Sequence, residues 1–261
     1  MFQTSVIASG SKGNCVLIRS PKTAILLDAG IAFRRIREAM EELGVLPSQL
    51  AAVILSHEHS DHSRGVGAVS RSLGIPLYTT EDTYYTAINK LGNLKGRLQF
   101  FASGSAFRIG DIHIHPFASS HDAIDSCNFT FSCEVKPEAK LGVATDLGYA
   151  TNLCLHHLRD CSTLILESNH DEQMLHDGPY DWHLKKRIKS RHGHLSNVQA
   201  VGLLSQLKIH KLKNLILAHL SEINNTPDLA HKTMQEYLNQ IRSDINLLVA
   251  EQDCHTPLIE V

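Results

Sequence analysis

The chain has 261 residues, and 43% of them are hydrophobic, which is enough to bury a substantial core in one α/β domain. Its 25 basic and 27 acidic residues give a formal net charge of -2, so the overall charge neither requires nor excludes a polyanionic partner. The N-terminal segment lacks the features of a signal peptide, and no apolar run reaches about 18 residues. We therefore expect a soluble cytoplasmic protein without membrane association.

The first part of the sequence alternates strand-like and helix-like segments. Short β-like runs on both sides of the turn-rich segment Ser9–Asn14 predict an opening antiparallel meander that ends with Thr23–Leu27. Helical periodicity over Ile31–Leu43 follows. The pattern then repeats with a strand at Ala51–Leu55, a helix at Gly65–Leu73, a strand at Pro76–Tyr78 and a helix at Glu81–Leu91.

From Leu98 to Val135 the sequence changes to short alternating runs, which predict a second sheet. Residues Gly110 and Asp111 form a hairpin signal ahead of the strand Ile112–His115. Further buried strands are predicted at Leu141–Ala144, Thr163–Leu166 and Leu215–Ala218, with helices at Ala150–Leu158 and Val198–Leu207. Because no long linker or solenoid repeat interrupts these segments, we expect one domain over residues 1–261. Its predicted fold is an α/β αββα sandwich, two mixed sheets with helices outside.

The segment His57-Glu58-His59-Ser60-Asp61-His62 follows the predicted strand Ala51–Leu55 directly. Alternate histidines on an extended segment point the same way and can bind one ion, while Asp61 and His62 turn toward a second. A solvated histidine-rich loop is the alternative for this segment taken alone. Other predicted strand ends also carry polar residues, namely Asp28, His121, Asp146 and His219, with Glu167 and His194 between the last two.

This order resembles the metallo-β-lactamase superfamily, whose motifs Asp, H-x-H-x-D-H, His, Asp and His end successive strands. The resemblance covers nearly the whole chain and includes the fold. Within the superfamily, five segments resemble most the bacterial WalJ (YycJ) group, whose members are nuclease-like and include 5′ to 3′ exonucleases acting on DNA. These segments are Ser9–Asn14, Ser56–His62, Ser119–Asp122, Ala144–Gly148 and Leu217–Ser221.

The resemblance implies two divalent metal ions. Three neutral imidazoles and a bridging carboxylate leave room for a water that two ions about 3.5 to 4 Å apart can share and deprotonate, and this hydroxide is the expected nucleophile. Zinc or manganese is expected, and iron or magnesium would also fit such ligands. One ion is implied to bind His57, His59 and His121, and the other Asp61, His62 and His219, with Asp146 bridging both.

Two carboxylates have further implied roles. Asp61 could accept a proton from the attacking water in addition to binding metal. In the superfamily, the residue at the position of Asp28 supports the ligand turn through hydrogen bonds without touching metal. A simple turn aspartate before Gly30 is equally compatible with the sequence at that position.

The segments Glu167-Ser168-Asn169 and Gly193-His194-Leu195-Ser196 resemble those of tRNase Z type phosphodiesterases, in which a carboxylate and a histidine assist the leaving oxygen. This resemblance implies that His194 acts as general acid and that Glu167 orients it. The alternative is that Ser196 caps a helix and His194 is an ordinary loop residue.

A basic run precedes His194 in the chain and follows Tyr180 and Trp182. It could bind phosphates, with an aromatic side chain to stack a base. A solvated helix face is the alternative. The basic residues are Lys185, Lys186, Arg187, Lys189 and Arg191.

Together these features predict a metal-dependent phosphodiesterase that acts on nucleic acid, specifically a 5′ to 3′ exonuclease on DNA. Hydrolysis of small cyclic phosphodiesters or of RNA is the alternative, and thioester hydrolysis is a more distant one. The chain lacks the cysteine ligand of lactamases and the large helical domain of glyoxalase II. It also lacks room for the β-CASP domain of RNase J and a Gly/Pro-rich arm like that of tRNase Z. A noncatalytic role would ordinarily be accompanied by loss of metal ligands, and all seven positions are present.

Overall fold

Two seven-stranded sheets pack face to face in a computed structural model that describes residues 1–94 and 96–261. In each sheet, three antiparallel pairs on one side are followed by three parallel pairs on the other. Parallel neighbours end at the same edge of a sheet, so the loops after them are brought close together.

The first sheet contains the N-terminal strands and one short strand from the C-terminus. The meander, the helix after it and the following strand-helix repeats are found where the sequence predicts them, within a few residues. The strands are β1 (Gln3–Ala8), β2 (Cys15–Arg19), β3 (Ala24–Leu27), β4 (Leu50–Ile54), β5 (Leu77–Thr79) and β6 (Leu98–Phe100), and the helices are α1 (Phe33–Glu42), α2 (Ser60–Ser63), α3 (Val66–Leu73) and α4 (Glu81–Leu91). A 3-10 turn covers Pro47–Gln49.

The second sheet contains most of the remaining strands. They are β7 (Phe107–Ile109), β8 (Ile112–Ala118), β9 (Cys127–Cys133), β10 (Lys136–Ala144), β11 (Thr163–Glu167), β12 (Asn214–Ala218) and β13 (Asn246–Val249). The final strand of the chain, β14 (Ile259–Glu260), pairs with β1 in the first sheet. The helices are α5 (Asn152–Leu158), α6 (Glu172–Asp177), α7 (Trp182–Ile188), α8 (Asn197–Gln206) and α9 (Pro227–Gln240).

Three apolar clusters stabilise this arrangement. Ile54 and Phe129 belong to the central cluster, which lies between the two sheets. Met40 of α1 belongs to a cluster between the first sheet and its helices, and Met234 of α9 to the corresponding cluster on the second sheet. The predicted αββα sandwich is confirmed, because each sheet buries one face against the other sheet and the opposite face under helices.

One part of the predicted layout is wrong. The second sheet begins at Phe107 and not at Leu98, because β6 pairs in parallel with β5 at the edge of the first sheet. Leu98–Phe100 is half-buried or exposed, and the alternation of a short edge strand does not reveal which sheet it joins. Among the described residues, no helix combines the length and the apolar character that a bilayer span requires.

Candidate metal centre

Several candidate site residues stand where a strand ends and the backbone turns sharply. Asp28, Asp146 and His219 follow β3, β10 and β12 and adopt left-handed backbone conformations, with φ values of 60°, 54° and 57°. Residues other than glycine rarely adopt this conformation, and where they do the strain is often associated with a functional site. The His57–His62 segment follows β4 and continues into α2.

The structure brings seven predicted ligands into one cluster. Asp146 lies between two groups of donors, since its Oδ1 is 3.6 Å from Nε2 of both His121 and His219, and its Oδ2 is 3.3 Å from Nε2 of His62. His59 Nδ1 lies 3.2 Å from His121 Nε2. One group contains His57, His59 and His121, another contains Asp61, His62 and His219, and a third places Asp146 with His57 and His62, with ligand atoms within 4.8 Å of one another in each.

The remaining ring nitrogen of four histidines has a partner outside the cluster. Such contacts fix the tautomer and direct the other nitrogen toward a metal. In each case Nδ1 makes the outer contact and Nε2 faces the cluster. The contacts are His57 to Ser56 Oγ at 3.0 Å, His62 to Asp28 Oδ2 at 2.8 Å, His121 to the Gly193 carbonyl at 3.2 Å and His219 to Glu167 Oε1 at 3.0 Å.

The donor set fits a divalent metal. His57 Nε2 is buried without a hydrogen-bond partner, and the buried Asp146 Oδ2 makes no well-aligned hydrogen bond, with the His62 ring 3.3 Å away. Leaving buried polar atoms poorly satisfied is costly, and a cation between the two groups of donors would satisfy both atoms. Imidazole and carboxylate donors are the usual ligands of zinc and also suit manganese and iron. The cluster therefore indicates divalent metal binding.

The electrostatics of the cluster also favour a bound cation. Burial alone would lower the pKa of His219, but the Asp146, Asp61 and Glu167 carboxylates outweigh it and raise this pKa to about 10. Burial likewise opposes the rise in the pKa of His62, which Asp146, Asp61 and Asp28 produce. Without metal, protons on these rings balance the carboxylates, and a bound cation would take the place of the protons.

Asp28 contacts the ligand turn at several points. Its carboxylate accepts hydrogen bonds from the backbone N–H of Ser56 at 2.8 Å and from the Ser56 hydroxyl at 2.9 Å, in addition to its contact with His62. The carboxylate is buried, and Ser56 and His62 connect it to the cluster. Asp28 therefore makes the hydrogen bonds that support of the His57–His62 turn would require.

Glu167 is fully buried and contacts His194, the residue that the resemblance implies it orients. Its Oε1 lies 2.8 Å from His194 Nδ1, and the same carboxylate also accepts hydrogen bonds from the backbone N–H groups of Asp146, Leu147 and Leu195. Burial would raise the pKa of Glu167, but the His194 and His219 contacts lower it to about 2. The sequence did not reveal that one carboxylate contacts both His194 and His219.

A cavity of about 410 Å³ opens over the cluster. His194, whose side chain is 20% exposed, lines this cavity together with Asp61, His121 and His219. The lining contains both polar and apolar side chains. Ser11, Asn169 and Ser221 are the polar part of the lining. Its apolar part, called the apolar wall below, consists of Tyr180, which precedes the N-cap of α7, and of Leu184 and Ile188 on α7.

The predicted basic run has only one residue at the cavity within the described chain. Arg187 lines it and forms an ion pair with Asp122. Lys185 donates instead to the carbonyl of His176 at 2.7 Å. Lys186 and Lys189 are exposed on or next to α7, Arg191 lies over the ring of Tyr149 at 4.2 Å, and Trp182 is 73% exposed.

Sequence reasoning missed two residues that contact the site. Asn14 donates from Nδ2 to Asp61 Oδ2 at 3.2 Å and to the Gly10 carbonyl at 3.2 Å. Lys90 of α4 lines the cavity, and its Nζ lies 3.2 Å from Ser60 Oγ. The turn-rich segment that ends at Asn14 was a signal for the first residue, whereas no local signal marked Lys90.

Comparison with known proteins agrees with this geometry. A family model described as a β-lactamase superfamily domain matches residues 23–220. The chain is 34% identical over 267 aligned positions to the exodeoxyribonuclease WalJ of Streptococcus pneumoniae, covering 100% of this chain and 98% of that protein. The chain belongs to the β-lactamase superfamily, in the WalJ/YycJ group.

Two further proteins support the sequence relationship and the fold. The exodeoxyribonuclease YycJ of Bacillus anthracis is 31% identical over 90% of this chain and 89% of that protein. The crystal structure of the metallo-β-lactamase fold protein YhfI from Bacillus subtilis superposes with a TM-score of 0.73 at 17% identity, covering 98% of this chain and 99% of that one. The first similarity extends the sequence relationship to a second organism, and the second supports the fold.

Proposed function

We propose that this protein is a metal-dependent nuclease that removes nucleotides from the 5′ end of DNA. The observation that carries the proposal is the Glu167–His194 pair at the edge of a complete set of metal donors. Phosphodiester hydrolysis needs both features, because the charge on the non-bridging phosphate oxygens must be neutralised and the departing oxygen must be protonated. The full-length similarity to WalJ, an exodeoxyribonuclease, supports DNA as the substrate.

The proposed centre holds two divalent ions, zinc or manganese in the first instance. When bound, they would supply an activated water and neutralise the charge of the phosphate. His57, His59 and His121 would hold one ion, and Asp61, His62 and His219 the other, with Asp146 between them, as the two groups of donor atoms suggest.

The side chains around the centre have distinct proposed roles. Asp61 lines the cavity, and we assign it a second role as proton acceptor for the attacking water. His194 is the general acid that protonates the leaving O3′ oxygen, and Glu167 is a positioning residue that holds its ring. Arg187 and Lys90 lie at the cavity and are suited to bind phosphate groups. The wider basic run of Lys185, Lys186, Lys189 and Arg191 would assist only by long-range attraction.

The direct test measures nucleotide release from 5′-phosphorylated duplex DNA with metal and with a chelator. The variants His121→Ala and Asp61→Ala should each reduce release by more than about 100-fold. His231→Ala, which removes an exposed histidine of α9, is the matched control and should retain activity. Full turnover in either site variant would refute the proposal. Labelling the 5′ or the 3′ end separately tests the polarity.

Hydrolysis of small cyclic phosphodiesters or of short RNA is a second candidate, favoured by the modest cavity of about 410 Å³. A thioester is a weaker candidate, since it needs no cation at the cavity and Arg187 and Lys90 both line it. Parallel assays on a cyclic phosphodiester, an RNA, a thioester and 5′-phosphorylated DNA decide between them. The substrate with the largest kcat/KM identifies the reaction.

A further inference from the structure

The apolar wall of the cavity is not used to build the core. Leu184 and Ile188 are four residues apart on α7 and therefore lie on the same face of the helix, and Tyr180 lies just before the N-cap. All three are half-buried and line the cavity. None belongs to the three apolar clusters that the described residues form. Their apolar surface is available to a molecule in the cavity.

This wall is joined directly to His194. The carbonyl of Ile188 accepts a hydrogen bond from the backbone N–H of His194 at 3.0 Å. At Gly193, a Cβ atom would lie 2.1 Å from the same carbonyl oxygen, so only glycine allows this approach. The C-terminal end of α7 and the loop that carries His194 therefore form one unit.

The chemistry of the proposed reaction determines what lies beside His194. The oxygen of water forms a bond to phosphorus, the P–O3′ bond breaks, and O3′ takes the proton that His194 donates. In removal of the first nucleotide from a 5′ end, this O3′ belongs to the released nucleotide. The sugar and base of that nucleotide must then lie on the His194 side of the centre, where α7 forms the wall.

We infer that Tyr180, Leu184 and Ile188 form a binding subsite for the base of the 5′-terminal nucleotide. The inference rests on the proposed function and deepens it by naming the group that is bound. An aromatic ring and two aliphatic side chains contact the face of any base and do not read its hydrogen-bonding edge. Such a subsite would accept all four bases, which an enzyme that degrades DNA of any sequence requires.

A pair of substrates tests the subsite. One is 5′-phosphorylated duplex DNA, and the other is the same DNA with a tetrahydrofuran abasic residue as its 5′-terminal nucleotide. The wild-type protein should cleave the abasic substrate with a kcat/KM about tenfold lower, the loss typical of one stacked base. In Tyr180→Ala, the normal substrate should lose about the same factor while the abasic one is unchanged. Equal cleavage of both substrates by the wild-type protein would overturn the inference.

The same helix provides matched controls. Trp182→Ala removes a 73% exposed aromatic side chain outside the cavity lining, and it should keep the preference for the normal substrate. Tyr180→Phe should also keep it, because the ring remains. If Tyr180→Ala lowers cleavage of both substrates equally, the side chain has only a structural role and the subsite is wrong.

A binding measurement separates the subsite from catalysis. The metal-loaded protein should bind 2′-deoxyadenosine 5′-monophosphate about tenfold more tightly than 2-deoxyribose 5-phosphate in calorimetry, and Tyr180→Ala should remove the difference. If this difference is found but DNA is not cleaved, the proposed function is wrong and the base subsite stands. If DNA is cleaved but neither cleavage nor binding depends on the base, the proposed function stands and the subsite is wrong.

Discussion

Oε1 of Glu167 lies 3.0 Å from Nδ1 of His219, so a fully buried carboxylate contacts one of the candidate metal ligands from behind. The same oxygen lies 2.8 Å from Nδ1 of His194. The candidate metal centre and the candidate general acid therefore share one anchor, and a change at Glu167 should affect both.

Glu167→Gln should lower metal affinity and kcat together, each by about 10 to 100-fold. The carboxylate accepts five hydrogen bonds, and a glutamine amide would place its NH₂ group against some of these donors. Calorimetric metal titration and nuclease kinetics measure the two effects. Glu138→Gln, at an exposed position of β10, is the control. Unchanged metal affinity in Glu167→Gln would show that the His219 contact is dispensable.

His194→Gln should lower kcat on DNA by about 10² to 10⁴-fold, the usual contribution of a general acid. A phosphodiester with a p-nitrophenolate leaving group needs little protonation, so the variant should cleave it at nearly the wild-type rate. The ratio of the two rates is the measurement. A similar loss on both substrates would assign His194 a role in binding or folding and not in proton transfer.

Metal binding should release protons, and metal affinity should rise with pH. The raised pKa of His219, about 10 without metal, means that this ring is protonated at neutral pH and must lose its proton to bind an ion. Metal affinity should therefore rise with pH throughout the pH range below the pKa of His219. Titrations of metal into the metal-free protein, in buffers of different ionisation enthalpy, count the protons released. An affinity that is constant between about pH 6 and 8 would contradict this expectation.

Asp28→Ala should destabilise the metal-free protein by about 3 kcal/mol, because it leaves the Ser56 N–H and hydroxyl and His62 Nδ1 without their buried partner. Chemical denaturation measures the loss. Asp244→Ala, at an exposed position before β13, should change stability by less than about 0.5 kcal/mol. Equal stabilities of the two variants would favour the simple turn role for Asp28.

Arg187→Gln and Lys90→Gln should each raise KM for DNA and reduce the slope of log affinity against log salt by about one. Both cations line the cavity, whereas Lys186 is exposed on α7 outside the cavity lining. Lys186→Gln is therefore the matched control. If it reduces the salt slope as much as Arg187→Gln, DNA follows the whole basic run and not only its cavity face.

The local hydrophobic pattern of the sequence was sufficient to predict the strands that precede the candidate ligands. The apolar strands before His57 and before Asp146 are recognisable because a strand buried on both faces has a continuous hydrophobic run. The alternate histidines of the His57–His62 segment predicted a metal site, and the resemblance carried by the order of the strand-end residues implied which side chains would meet there. The Glu167–His194 pairing was also predicted from resemblance and is present in the structure.

Other features depend on contacts between distant segments. The edge strand Leu98–Phe100 joins the first sheet, although its short alternating pattern fits either sheet equally well. The orientation of α7 about its axis places Arg187 in the lining of the cavity and Lys186 outside it, and a run of like charges does not specify that orientation.

The sequence by itself determined the αββα fold, because strand and helix periodicity are local properties, and its resemblance to the superfamily implied the set of candidate ligands. Only the tertiary structure decided that Glu167 contacts two histidines, that Asn14 contacts Asp61 and that Lys90 reaches the cavity. Each of these contacts joins residues 27 or more positions apart in the chain. They depend on how whole sheets and helices pack, which no short segment specifies.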